Sequence, residues 1–334
     1  MTYPVQTVLH HTAQAFQAAG MDPAAAATVA GVMVDADVRG HHSHGLQLLP
    51  VYLQRIREGG IDPRAEPVWV REDAALAILD GRGAAGQVAA AMAAERCARL
   101  AARSGVAAVA VRHTNHVGML AAFREPFERH GVVGLILNLA GTSVAPPGGH
   151  RATMGNNAVA LVVPRPGQDA FCVDFATGAV ACGKIRQAAS KGQVLPEGWL
   201  LDGNGQPSTD PASLDEGGAV PVFGGHKGLA LSLMIELVAG AIGGGVTSRG
   251  VNRQRLNPGR VMDCAQMFIG LHPPTFGIDS MTPFVEELDS AVRDSYPAGP
   301  PELYFPEQVE ARARNGAESA GLALDEDVAR LLGL

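Results

Sequence analysis

The chain has 334 residues, enough to bury a substantial core and to form two or three structural units. Apolar residues make up 47% and charged ones 18%, a balance that excludes a disordered chain. The net charge of -7 comes with no basic run and no arginine–aromatic interleaving, which argues against nucleic acid as a partner.

Cys97, Cys172, Cys182 and Cys264 stand apart with no C-x-x-C pair. They signal neither a disulfide frame nor a zinc knuckle, and a reducing cytoplasm suits them. The first residues lack the basic and apolar regions of a secretory leader. Residues 24–34 are too short a greasy run to span a bilayer. Residues 228–245 carry Glu236 and end in glycines, so they read as a buried helix and no membrane is expected.

In chain order, Asp22-Pro23 starts a helix over residues 24–38, with an acid at the cap and proline in the first turn. Ser43 caps a further helix through Leu46, Leu49, Leu53 and Ile56, which Pro50 kinks or starts later. The first 60 residues are therefore helical. Strands are expected at 74–79, 106–111, 132–138, 158–164, 170–174 and 266–271. Helices are expected at 87–103, 120–130, 180–191 and 227–242, with two more at the C-terminus. Residues 196–219, rich in Gly, Pro, Asp and Ser, read as loop.

Gly81-Arg82-Gly83-Ala84-Ala85-Gly86 matches G-x-G-x-x-G between a strand and a helix. A Rossmann site also wants an acidic residue about 20 positions on, for the ribose. No Asp or Glu occurs between Cys97 and Arg124. The motif reads as a decoy, a turn that lets strand and helix pack closely. A Rossmann-type dehydrogenase is the competing reading.

His41-His42-Ser43-His44-Gly45 is the densest functional cluster. Its spacing is not that of two ligands on one helix face, so no metal is expected. Imidazole titrates near neutrality and can move the proton that accompanies a hydride, with Ser43 as relay or tautomer anchor. His116, in Asn115-His116-Val117-Gly118 just after the strand at 106–111, is a second acid/base group or lies against a nicotinamide. Gly224-Gly225-His226-Lys227-Gly228 opens an apolar helix. Its N–H groups and lysine make an anion site suited to a diphosphate.

Together, and in order, these motifs resemble the malate/L-lactate dehydrogenase family of the second type. That family also takes in ureidoglycolate, sulfolactate and diketogulonate oxidoreductases and the piperideine/pyrroline carboxylate reductases. The resemblance rests on Asp37-Val38-Arg39-Gly40 with Ser43-His44-Gly45, Leu49-Pro50-Val51-Tyr52, Asn115-His116-Val117-Gly118, Asp174-Phe175-Ala176-Thr177, Gly183-Lys184-Ile185 and Gly224 through Gly228. It implies an α/β fold with a non-Rossmann nucleotide-binding domain on a mixed sheet, plus a helical domain built from both chain ends. Residues 1–72 would be the helical N-terminal part, 73–285 the cofactor and substrate domain, and 286–334 C-terminal helices packing with the first part. It implies a homodimer and a small-molecule substrate. The cofactor would be NAD or NADP, held at Asp174, Phe175, Ala176, Thr177, His226, Lys227, Tyr304, Phe305 and Pro306. It further implies that His44 is the proton donor with Ser43 as relay, or that His116 takes that role. The activity implied is hydride transfer to or from a 2-oxo/2-hydroxy acid, with a cyclic-imine carboxylate or a non-catalytic binding role as alternatives.

The chain departs from that pattern in its substrate residues. Leu48 stands where many members carry an arginine for the substrate carboxylate, and Asn156 where a threonine is usual. Arg39 or Arg55 then takes the acid, or the substrate is not a simple 2-oxo acid.

Overall fold

A computed structural model describes residues 1–334. Seven strands form its main sheet: β1 (Val68–Glu72), β2 (Leu76–Asp80), β3 (Val106–Thr114), β4 (Val133–Asn138), β5 (Ala158–Val163), β6 (Phe171–Ala176) and β7 (Cys264–Leu271). The order is β1-β2-β3-β7-β4-β5-β6. Only β2 and β3 run parallel; the other neighbours are antiparallel, so the sheet is mixed. β7 is the last strand in sequence yet sits between β3 and β4. Its nearly continuous burial, CAQMFIGL, is what a central strand covered on both faces requires.

Ten α-helices surround this sheet. The parallel pair is joined by α4 (Gly86–Ser104), whose alanine face is buried together with Leu79, Val109, Val111 and Phe268. Small side chains let it lie close. A Cβ on Gly270 of β7 would fall 2.7 Å from that of Ala101. A second core joins α1 (Val5–Ala18), α2 (Pro23–Val38) and α3 (Leu49–Glu58) to residues near the other end of the chain, Ala317, Leu322, Val328 and Leu332. Thr2–Tyr3 also pairs antiparallel with Leu322–Ala323.

Most expected elements are present within a few residues. The differences have local causes. The 43–58 stretch begins as two 3-10 turns, His42–His44 and Leu46–Leu48, and α3 starts only at Leu49, with Pro50 in its first turn. Pro126 likewise divides 120–130 into a 3-10 turn, Leu120–Phe123, and α5 (Glu125–His130). Strand β1 lies inside the first 72 residues and has little alternation to announce it. The C-terminus holds three helices rather than two: α8 (Thr282–Asp294), α9 (Gln308–Ala320) and α10 (Glu326–Leu332). Helix α6 (Cys182–Ser190) and α7 (His226–Ile235) complete the set. A π-type continuation extends α7 over Glu236–Gly244.

That last helix is not the buried one expected. Ile235 and Ala239 pack on the sheet, but Leu233, Met234, Leu237 and Ile242 lie exposed. An apolar composition reports only that most sides are greasy, not that every side is covered. By length and mean hydropathy it is the one helix able to cross a membrane.

The Gly81–Gly86 turn is packed shut. Asn115 donates to the Gly83 and Ala84 carbonyls at 2.9 Å each, and a Cβ on Gly86 would meet the Asn115 carbonyl oxygen at 2.3 Å. Gly86 serves close approach of backbone to backbone, while Gly81 and Gly83 press on the Thr114 and Val261 side chains, in keeping with the packing-turn reading. Gly86→Ala is therefore expected to cost about 1–3 kcal/mol of stability in urea unfolding, the usual range for overpacking, without weakening nucleotide binding. A lost nucleotide affinity at unchanged stability would reverse this assignment.

Candidate active site

Asp37, in the last turn of α2, organises the loop that follows. One carboxylate oxygen accepts the Leu46 N–H at 2.7 Å and the other lies 2.8 Å from His42 Nδ1. That grip spans the two 3-10 turns and sets Ser43 and His44 in the first of them. Gly45 has to be glycine, because a Cβ there would fall 2.4 Å from the Asp37 carboxyl. A Cβ on Gly183 would likewise meet the Ser43 Cβ at 2.7 Å. The three histidines diverge: His41 goes to Glu310 at 3.1 Å, His42 to Asp37, and His44 Nδ1 to the Ser43 hydroxyl at 3.0 Å.

The second half of the site hangs on Arg55. This fully buried side chain donates through Nη2 to the carbonyls of Gly60 and Arg260 and to Asn115 Oδ1, at 3.1, 2.8 and 2.9 Å. Asn115 in turn ties the end of β3 to the glycine turn, and the next residue, His116, is delivered opposite His44. The two rings stack with centroids 5.9 Å apart and planes 24° apart.

A hydrogen-bond chain assigns the His116 tautomer. Gln87 donates its amide to the Tyr52 oxygen at 3.0 Å, and that hydroxyl lies 2.6 Å from His116 Nδ1. Having accepted from Gln87, the Tyr52 hydroxyl donates to Nδ1, which leaves the His116 proton on Nε2. Burial holds Tyr52 protonated by raising its pKa. Burial also drives both histidines down. His44 falls to about 4, helped by the charges of His41 and Lys184, and His116 falls to about 3, helped by His44 and Arg55. Both are neutral at pH 7.

These rings line a cavity of about 240 Å³ together with Ser43, Leu48, Asn138, Asn156, Ala176, Cys182 and the 253–256 stretch. Asn156 braces the wall: its Oδ1 accepts from Gly178 N at 2.7 Å and its Nδ2 donates to the Val180 carbonyl at 3.2 Å. Of the two arginines suggested for the substrate acid, neither is brought here. Arg55 is the strut just described. Arg39 bonds Asp35 at 3.3 Å and faces a separate cleft with Arg165, Phe171 and Phe305.

The residues expected to hold a nucleotide spread outward along the edge strand β6. Ala176, at its end, lines the cavity. Asp174 accepts the Ala121 N–H at 2.9 Å, and burial raises its pKa. Phe175 is exposed and meets Phe223 edge-on at 5.9 Å. Thr177 is fully buried and its hydroxyl finds no partner, so its side chain faces the interior. His226 and Lys227 open α7 in the exposed turn after Gly224 and Gly225, which take left-handed φ of +59° and +60°. Phe305 lies 5.3 Å from Phe171 at the start of β6, beside Pro306, and Tyr304 bonds Asp289 at 2.8 Å. These three stand apart from the cavity. Tyr52 stands in the Leu49-Pro50-Val51-Tyr52 motif without a role legible from sequence, and Gln87 only at the start of a helix. Their function rests on a contact between residues 35 positions apart, which no local pattern displays.

The malate/L-lactate dehydrogenase family model matches residues 3–332. The chain belongs to this family. It is 34% identical to the L-sulfolactate dehydrogenase of Methanocaldococcus jannaschii over 284 residues, 85% of this chain and 81% of that one. It is 38% identical to the Delta(1)-pyrroline-2-carboxylate/Delta(1)-piperideine-2-carboxylate reductase of Pseudomonas putida over 230 residues, 69% of this chain and 67% of that one. A solved dehydrogenase structure from Sinorhizobium meliloti superposes with a TM-score of 0.89 at 31% identity, covering 100% of this chain and 97% of that chain. The protein is an oxidoreductase of this malate/L-lactate dehydrogenase family.

Because both cavity histidines have folded pKa values below the usual 6.5, protonation favours the unfolded chain. The stability they contribute is complete above pH 6.5 and drains away as pH falls towards 4, on the order of 3 kcal/mol for His44. His44→Asn should flatten the loss of urea stability between pH 6.5 and 4. An unchanged pH slope in that variant would rule out burial of His44 as its source.

Proposed function

We propose that the chain transfers a hydride between NAD or NADP and a small 2-oxo/2-hydroxy acid, with His44 exchanging the proton. The observation that carries this reading is the pair of stacked, neutral histidines on one cavity wall, one with its tautomer fixed by Tyr52 and Gln87. In the oxidation direction a neutral His44 accepts the carbinol proton while Ser43 anchors its Nδ1, and His116 offers its Nε2–H to the same oxygen. In the reduction direction the roles of donor and acceptor reverse.

The residues fit a nicotinamide nucleotide. Residues 224–227 start α7 with no side-chain cap, and nothing lies within 4 Å of where a Cβ on Gly224 or Gly225 would stand. Those free N–H groups, with Lys227, suit a diphosphate. Asp174 keeps spare acceptor capacity for a ribose hydroxyl, and Ala176 carries β6 to the cavity. In this reading the nucleotide domain is not of the Rossmann type, since the Gly81–Gly86 turn is filled. When bound, the nicotinamide supplies or takes the hydride. A cyclic-imine carboxylate is the second reading, favoured by the similarity to the Pseudomonas putida reductase, and it uses the same proton groups.

The apolar outer face of the α7 continuation suits a homodimer. Met234 and Leu237 are 62% and 61% exposed and Ile242 75%, in a contiguous stripe that a single chain leaves in water. A second copy would cover it, and the helical cores from the two chain ends would belong to one unit in each subunit.

His44→Asn is expected to lower turnover roughly 10²- to 10⁴-fold, the usual worth of a general acid–base group, while nicotinamide fluorescence still reports cofactor binding. Full turnover in that variant would transfer the proton to His116. Leu237→Asp should shift sedimentation from dimer to monomer, and a monomeric wild type would sink the dimer reading.

A further inference from the structure

The cavity has a markedly uneven charge. No carboxylate lines it, whereas Arg186, Arg253 and Arg255 do, in a chain whose net charge is -7. Only one of the three is neutralised. Arg186 forms a two-pronged pair with Asp215, both N···O distances 2.8 Å. Arg253 and Arg255 have no carboxylate within ion-pair distance, yet their charges reach the same Asp215 and help hold its carboxyl below the usual range. Burial, and then the charge of Arg186 beside it, lower the pKa of Arg255. Between them, Gln254 has its side-chain oxygen buried with no donor. The α3 side of the cavity is closed by the apolar Leu48, and the histidines are neutral, so neither compensates the surplus. Arg253 is half-buried and Arg255 exposed, so two guanidiniums without a counter-charge stand on the cavity lining, where an anion would complete the set.

We propose that Arg253 and Arg255, on the loop before β7, form the anion clamp that holds the acid group of the substrate, in the cavity that Leu48 also lines. The proposal rests on the reading of this cavity as the substrate site. A guanidinium presents paired N–H donors in one plane, matched to the two oxygens of a carboxylate. The clamp loop and the histidine-bearing segments are separate stretches of the chain, and the two divide the work. One supplies the proton groups and the other the charge. The other anion available, the nucleotide diphosphate, already has its own fit at the start of α7, on a separate element.

The test uses the full chain saturated with reduced nicotinamide and titrates oxamate, a non-reacting 2-oxo acid mimic, by calorimetry. Wild type should bind oxamate, and Arg253→Gln with Arg255→Gln together should weaken it roughly 10- to 100-fold, the worth of one or two charged hydrogen bonds. KM for a reactive 2-oxo acid should rise by a similar factor with kcat little changed, cofactor affinity should hold, and Arg255→Lys should recover part of the loss. The urea midpoint of each variant confirms folding. Failure of wild type to bind oxamate, or equal binding by the double variant, overturns the clamp. A matching loss of cofactor affinity overturns it too, and gives these arginines to the nucleotide. If wild type binds oxamate through them but turns over no 2-oxo acid, the clamp stands and the proposed reaction falls.

Discussion

The site depends on a carboxylate that does no chemistry. Asp37 sits at the end of α2 with its side chain almost out of solvent, and it spends both oxygens on the loop ahead of it. A buried carboxylate that is fully hydrogen-bonded is strongly specifying, because every alternative loop conformation leaves it unpaired. Two consequences follow from that one contact. Gly45 has no room for a side chain, and Ser43 and His44 have only one place to stand. The short sequence Ser-His-Gly is thus a packing solution, whatever chemistry it carries.

The opposite half is built the same way around a buried cation. Arg55 replaces water with two backbone carbonyls and Asn115, and Asn115 is shared with the glycine turn and with Met262 N at 3.0 Å. A third polar knot, Asn157 with Ser232, Glu236 and Ser248, fixes the 140 and 156 loops. Asn157 Oδ1 accepts the Ala140 N–H at 2.9 Å, and its Nδ2 donates to Glu236 at 2.8 Å. The side chains of Asp37, Arg55, Asn115 and Asn157 stay off the cavity lining, while Met262 and Ala140, whose backbone they hold, are part of it. Each converts burial cost into loop geometry, and the stack of His44 on His116 exists only because the first two knots are registered on the same sheet through β3 and α4.

How much of this could be read from residues alone follows the range of the interactions. The strands and long helices are set by local periodicity and appeared close to where they fell, down to the late start of α3 imposed by Pro50. His44, Ser43 and His116 were legible because their neighbours are glycines and polar residues at strand and helix ends. Arg39 and Arg55 were plausible acid binders by chemistry, and only the fold shows one facing another cleft and the other buried off the cavity lining, with Nη2 on two carbonyls and Asn115. Arg253 and Arg255 gave no signal, since an arginine pair in a polar loop is ordinary until the loop is seen to line one cavity with two histidines. The exposed stripe on the α7 continuation was equally invisible, because periodicity counts greasy residues and not their neighbours.

The charge pattern finally links binding to proton transfer. Burial depresses both histidines, so the empty cavity holds positive arginines and neutral rings, which is the arrangement that keeps like charges apart. An acid anion entering between them changes the balance. It satisfies the guanidiniums and, as a nearby negative charge, raises the affinity of the imidazoles for a proton. The stacked rings cannot both take one cheaply, since a charge on His44 lowers the pKa of His116. In the proposed reaction, acid binding would therefore favour uptake of a single proton where a carbonyl reduction would consume one. A substrate lacking the negative group would find the same histidines, but without the field that protonates them.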